Sequence, residues 1–361
     1  MTTATSQDDL DALRATVRDF LEAKAGHGEA ELWAQLTGEL GLAGLAIPEE
    51  YGGDGFGLVE LGVVLEEMGR ALVSAPFFAS VVLAAHALLA TGDAVACARY
   101  LPGIADGTTV ATLAVTEADG SWDARRVATR AEETAPGQWS VTGRKCFVID
   151  GTTADLLLVV ARTETGLSLF AVDRPAPGVR TEALRSLDAT RAQAQVTFDA
   201  APATRVGGDS AGECVFGPVL DIAAVCLAAE QAGGARRVLE TAAEYARTRH
   251  QFGRPIGSFQ AVKHKCADML VHVELAEATA REAARLHDED PAGLPAAAAA
   301  AHACCSRAYL FAAMENIQVH GGIGFTWEHS AHRHFRRAKS AQLLFGGPAV
   351  YHERLLAALG V

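Results

Sequence analysis

The chain has 361 residues, half of them hydrophobic, and a formal net charge of −13. That length supports two or three domains, or one elaborate one, and the acidity (pI near 5.4) excludes a nucleic-acid-binding surface and a basic membrane-surface helix. Seven cysteines with no Cys-x-x-Cys pair read as reduced thiols of a cytoplasmic protein.

In chain order, MTTATSQDDLDAL has no basic or apolar leader region, and Asp8, Asp9 and Asp11 speak against a transit peptide. Residues 7–104 read as helical. Leu10, Leu13, Val17, Phe20 and Leu21 recur at helical spacing behind an acidic first turn. IPEEYGGDGFG interrupts the pattern, and a helix follows with Leu58, Leu61, Leu65, Met68 and Leu72 on one face. From about 110 to 206 the pattern turns to short strands: ATLAVTE, WSVTGRKCFVI, ADLLLVVAR, LSLFAV and AQVTF.

The helical period returns from about residue 213. VLDIAAVCLAAEQAGGARRVLETAAEYARTR is a long helix in which Gly233 and Gly234 allow a close helix crossing. Asp221 interrupts its apolar run, so no segment is expected to reach membrane-spanning length. A second helix keeps Val262, Cys266, Met269, Val273 and Ala280 on one stripe, and the Ala-rich run 296–301 opens a third, through about Asn316.

Two C-terminal stretches carry chemistry: RTRHQFGRPIGSFQ, from Arg247, and IQVHGGIGFTWEH, from Ile317. Alone, the first reads as a helix C-cap ending at Gly253 and Pro255, the second as a glycine hinge. A Gly-Gly pair also lets backbone approach a ligand, and an Arg can neutralise a phosphate.

Together with LGLAGLAIPEEYGGDGFG, AVTEADGSWD and WSVTGRKCFVIDGTTAD, these stretches resemble the acyl-CoA dehydrogenase family over nearly the whole chain. The resemblance implies an α+β fold: an N-terminal helical domain over 1–109, a small middle β-barrel or sheet domain over 110–206 and a C-terminal four-helix bundle over 207–361. It implies FAD as cofactor, an acyl-CoA substrate desaturated between Cα and Cβ, and an electron-transferring flavoprotein as electron acceptor. A carboxylate takes the α-proton while a hydride leaves the β-carbon. Arg249, Phe252, Gln260, Gln318, Gly321, Gly322 and Thr116 match cofactor-binding positions; no metal site and no membrane insertion are implied.

The departures matter as much. Where many members read Tyr-Arg-Asp-Ala-Lys-x-x-Gln-Ile-Tyr-Glu-Gly-Thr-Ser-Gln, with Glu as the base, this chain reads FRRAKSAQLLFGGPAV, which puts Phe345 at the base position. The alternative base position, on the helix before the Arg-x-x-Phe-Gly motif, falls near Ala223, with Ala224 where an Arg would follow. Asp221 lies on a different face, and Glu230 is two turns away, roughly 10 Å along the axis. In the family each FAD lies between two subunits. The half given by the β domain and the Glu-Gly-Thr-Ser-Gln turn is degraded here: Trp122 replaces a Ser, Ile149 a Thr, and Gly347 and Ala349 stand for Thr and Gln. The other half is intact. This pattern resembles one member of the heterotetrameric (α2β2) acyl-CoA dehydrogenases of steroid side-chain breakdown, completed by a homologous subunit. Two other readings stay open: a homomeric flavoenzyme with a different base or oxygenase-type chemistry, and a scaffold without activity.

Overall fold

A computed structural model describes residues 5–361; the first four residues of the N-terminal segment lie outside it. In chain order the helices are α1 (Gln7–Ala23), α2 (Glu29–Gly38), α3 (Leu58–Ala71), α4 (Ala85–Ala90) and α5 (Ala94–Ala105). Strands follow: β1 (Ala111–Ala114), β2 (Arg130–Ala135), β3 (Gln138–Ile149), β4 (Leu156–Arg162), β5 (Leu167–Asp173), β6 (Val179–Ala183) and β7 (Gln193–Val206). Then come α6 (Pro218–Thr248), a hairpin of β8 (His250–Gln251) and β9 (Arg254–Pro255), α7 (Gln260–Glu289), α8 (Leu294–His320), α9 (Ala331–Leu343) and α10 (Pro348–Ala358). The fold is mixed α+β, and two compact units emerge from its contacts, divided within α6 between Ala223 and Ala224.

One unit comprises Gly26–Gly57 and Ser74–Ala223. Its sheet runs β1-β4-β2-β3-β7-β5, with β6 on β7; a further pairing of β4 with β5 closes five of the strands into a ring. Ala114, Val141, Leu157, Val159, Phe170, Val172, Val196 and Phe198 fill its core. Strands β2 and β6, which the sequence reading passed over, bury too little to stand out: RAEETA buries Ala131 alone, and VRTEA buries nothing fully. Strand β7 also runs on to Val206, beyond AQVTF.

The other unit comprises residues 5–25, Leu58–Val73 and Ala224–Val361. Helix α3 corrects the one-face expectation. Val63, Val64, Glu60, Glu66 and Glu67 are buried along with the apolar stripe. Glu67, 3% exposed, pairs with Arg18 at 2.7 Å and with Arg14; Glu66 pairs with Arg14 and, at 3.4 Å, with Arg281. Buried carboxylates persist only when paired in this way.

The expected close crossing at Gly233 is present: a Cβ there would lie 1.8 Å from the Glu66 carbonyl oxygen, and one on Gly69 would lie 1.9 Å from that of Glu230. Two glycines, one on each helix, thus let α3 and α6 touch backbone to backbone. Gly234 faces the Tyr309 ring instead, 2.5 Å from an added Cβ. The third long helix runs from Leu294 to His320, a turn beyond the expected end. The membrane-length expectation is corrected too. The helical stretch Ala211–Thr248 is long and apolar enough to cross a membrane by length and composition, because one carboxylate hardly lowers its mean hydropathy of 1.7; 67% of that window is buried inside the protein.

Candidate functional site

The Arg-x-x-Phe-Gly stretch forms a hairpin, not the helix cap its composition suggests. Helix α6 stops at Thr248. The Arg249 N–H still donates to the Tyr245 carbonyl at 2.9 Å, and the Ile256 N–H donates back to the Arg249 carbonyl at 2.8 Å. His250 and Gln251 pair with Pro255 and Arg254 across a two-residue loop. Phe252 (φ +54°) and Gly253 (φ +75°) are both left-handed, as a primed hairpin turn requires. The turn presents Phe252 to solvent, 91% exposed. Its ring meets Phe259 edge-on at 6.0 Å, and Arg254 lies over Phe259 at 4.1 Å. The Arg249 side chain is exposed and forms no ion pair among the described residues, and Gln260 opens α7 exposed.

Gln318 is exposed on the last turn of α8. Gly321 ends that helix at φ +63°, and a Cβ added at Gly321 or Gly322 would meet nothing within 4 Å. The backbone here is open to a ligand. The two motifs come together through a contact the sequence did not reveal: the Tyr245 ring stacks on His320 at 4.3 Å, and the His329 ring lies tilted against His320 at 4.4 Å. Beside the stack lies a groove of about 810 Å³ whose lining includes Arg237, Tyr245, Thr248, Cys266, Leu270 and His320. No local signal marks Tyr245, His320 and His329 as partners, because the contacts join the ends of different helices.

Thr116 sits in the sheet-bearing unit, apart from the other six predicted residues, and is 4% exposed. Its hydroxyl donates to the Cys146 carbonyl at 2.6 Å, while the Cys146 N–H donates to the Thr116 carbonyl at 2.9 Å. Lys145, fully buried, donates to the Val115 carbonyl at 2.8 Å and to Glu117 at 3.1 Å. Burial pushes its pKa down to about 8 despite the carboxylate beside it. Just beyond, Phe147 is 43% exposed in left-handed backbone (φ +59°) beside a strand irregularity. A bulge re-aims a side chain in this way, and the Lys-x-Phe pattern was its only sequence signal. Ile149 is buried and Trp122 half-buried.

The two base positions hold no acid. Ala223 and Ala224 are fully buried. Phe345 is 1% exposed at φ +64°, the Leu344 carbonyl accepts from His302 Nε2 at 3.3 Å, and the His302 ring stacks on Tyr351 at 3.7 Å. Burial lowers the His302 pKa to about 4, so this histidine is a neutral core group. The turn is pinned to the bundle. Glu230 is also spoken for: it forms a buried ion pair with Arg337 at 3.4 Å, and Arg337 stands where the family motif has Asp. Asp221 is buried in the first turn of α6.

Residues 7–108, 112–201 and 214–359 match the N-terminal, middle and C-terminal domains of acyl-CoA dehydrogenases. This is the architecture of flavin-dependent oxidoreductases acting on the CH–CH bond of acyl-CoA, and the chain belongs to the acyl-CoA dehydrogenase family. It is 36% identical to the acyl-CoA dehydrogenase IpdE2 of Mycobacterium tuberculosis over 91% of this chain and 87% of that one. It is similar to the ChsE4–ChsE5 complex of the same organism, with TM-score 0.88, 31% identity and coverage of 99% and 98%. The Tcur3481–Tcur3483 steroid ACAD is similar as well, with TM-score 0.86, 31% identity and 98% coverage of each chain.

The family's cofactor is FAD. The C-terminal residues fit it: an exposed guanidinium that forms no ion pair among the described residues, open glycine backbone at Gly321 and Gly322, and exposed amides at Gln318 and Gln260. The sheet residues fit it less well, since the Thr116 hydroxyl is already donated to Cys146 and Ile149 is buried.

Proposed function

We propose that this chain is one subunit of an α2β2 acyl-CoA dehydrogenase and supplies Arg249, Phe252, Gln260, Gln318, Gly321 and Gly322 to an FAD shared with a homologous partner. The partner supplies the catalytic carboxylate and the remaining cofactor contacts. The observation that carries this reading is the contrast between two turns. At the base turn Leu344 and Phe345 are buried and pinned by His302, whereas the Arg249 hairpin and the Gly321 corner are exposed, and Arg249 forms no ion pair among the described residues. Likeness to ChsE4–ChsE5 and to a steroid ACAD supports a two-component enzyme acting on a bulky acyl-CoA of steroid side-chain type. The same reading includes an electron-transferring flavoprotein as acceptor and a cytoplasmic setting.

When bound, FAD supplies the hydride acceptor. In this reading Arg249 neutralises its phosphates, the Gln318 amide donates and accepts hydrogen bonds, and the glycine corner lets backbone N–H groups come close. The partner's base takes the α-proton. Arg249→Ala removes a charge-assisted contact worth roughly 1.5–3 kcal/mol, so FAD affinity of the complex falls about ten- to a hundred-fold. Arg249→Lys restores only part, since Lys lacks the planar fork. Flavin absorbance after gel filtration measures this. Full flavin in both variants would mean that Arg249 serves the hairpin alone.

A further inference from the structure

Two of the places that carry the proposed FAD contacts of this chain, the end of α6 and the end of α8, lie beside the turn leading into α9. They meet in one stack of rings. Tyr245 is on the last turn of α6, four residues before Arg249, and its carbonyl accepts the Arg249 N–H at 2.9 Å. His320 is the last residue of α8, two after Gln318 and directly before Gly321. His329 precedes α9. Tyr245 and His320 lie 4.3 Å apart at 26°, His320 and His329 4.4 Å apart at 49°.

His320 is held from a further direction. Its Nδ1 lies 2.8 Å from the Asn316 carbonyl. A carbonyl only accepts, so Nδ1 carries the proton and the ring orientation is set. The ring is 5% exposed, and burial, reinforced by His329, lowers its pKa and keeps it neutral. A Cβ added to Gly324 would come within 2.9 Å of the His320 Cβ, so the following turn folds back against it. A core-filling ring needs none of this alignment. The stack links, through one histidine, the backbone before Arg249 to the backbone between Gln318 and Gly321.

We infer that the Tyr245–His320–His329 stack is a positioning device for the FAD half-site, with His320 as the central positioning residue that sets Arg249 in register with the Gln318–Gly322 corner. This rests on the reading of Arg249 as an FAD contact. The rings act through the residues they hold.

The test is a double-mutant cycle on FAD affinity, read by flavin fluorescence on the flavin-stripped complex, with melting temperature followed in parallel. His320→Ala lowers affinity about three- to tenfold, the scale of a lost aromatic stacking contact, and Tyr245→Leu does the same. His320→Phe keeps the ring and stays within about twofold of the parent. In an Arg249→Ala background, His320→Ala changes affinity by less than about twofold, because residues acting as a unit are not additive. The inference is overturned if His320→Ala costs the same in both backgrounds, or if it lowers only the melting temperature. If Arg249→Ala alone leaves affinity intact, the FAD reading fails and the inference falls with it.

Discussion

Phe345→Glu gives a less stable protein and, in this chain by itself, no acyl-CoA-dependent flavin bleaching. At 1% exposure in a turn pinned by His302, the new carboxyl would take the place of a buried apolar ring. Burial raises its pKa and leaves it protonated, so it is a poor base at neutral pH. The lost ring costs on the order of 3 kcal/mol or more by the measure of Phe truncations in cores. Geometry compounds the loss. A base works only within hydrogen-bond reach of a correctly held proton, and Trp122, Ile149 and Ala224 still replace the family's contacts to flavin and thioester. Thermal melting and anaerobic flavin spectra with acyl-CoA substrates check both halves. Bleaching at a site built from this chain alone would show that Phe345 was the only missing piece.

Gly69→Ala has the largest structural effect. Its Cβ would lie 1.9 Å from the Glu230 carbonyl oxygen, an atom of α6 backbone that cannot rotate away. The two helices must part by more than 1 Å, roughly, to restore contact distance, and that breaks packing along their whole crossing. The expected loss is above ~3 kcal/mol, at the upper end of overpacking costs. Gly233→Ala behaves alike, its Cβ at 1.8 Å from the Glu66 carbonyl. Gly62→Ala is the internal control. Its nearest neighbour is the Ala229 Cβ at 3.9 Å, an ordinary contact, so the better helix former raises stability by up to about 1 kcal/mol. Melting temperatures of the three variants settle the ranking. Equal behaviour of Gly62→Ala and Gly69→Ala would contradict the close crossing.

These contrasts show what the sequence could express. Helical stripes such as Met269–Val273–Ala280 were legible because their period is local, and Gly233 was legible as a close approach because a buried helix rarely carries two glycines without reason. Strands β2 and β6 were not, since RAEETA and VRTEA bury almost nothing and each is held by pairing with the strand that follows it, β3 and β7. In the ring of strands the β4–β5 hairpin is local, but the pairings of β2 with β4 and of β5 with β7 are not. Arg249, Gln318 and the glycines stand out in the sequence by motif. The ring stack that joins them, the left-handed Phe147, and the Glu230–Arg337 pair are products of tertiary proximity. The hairpin at Phe252–Gly253 was misread as a helix cap because both use a left-handed glycine.

The account is tested most directly by native mass and flavin absorbance of the purified chain, alone and co-expressed with a homologous acyl-CoA dehydrogenase subunit that carries the Glu-Gly-Thr-Ser-Gln turn. The chain alone should hold little FAD and oxidise no acyl-CoA. With its partner it should form a yellow four-chain assembly of two kinds of subunit that reduces flavin on adding substrate. A yellow assembly of this chain alone, with full flavin and steady turnover, would contradict the division of the site between two proteins.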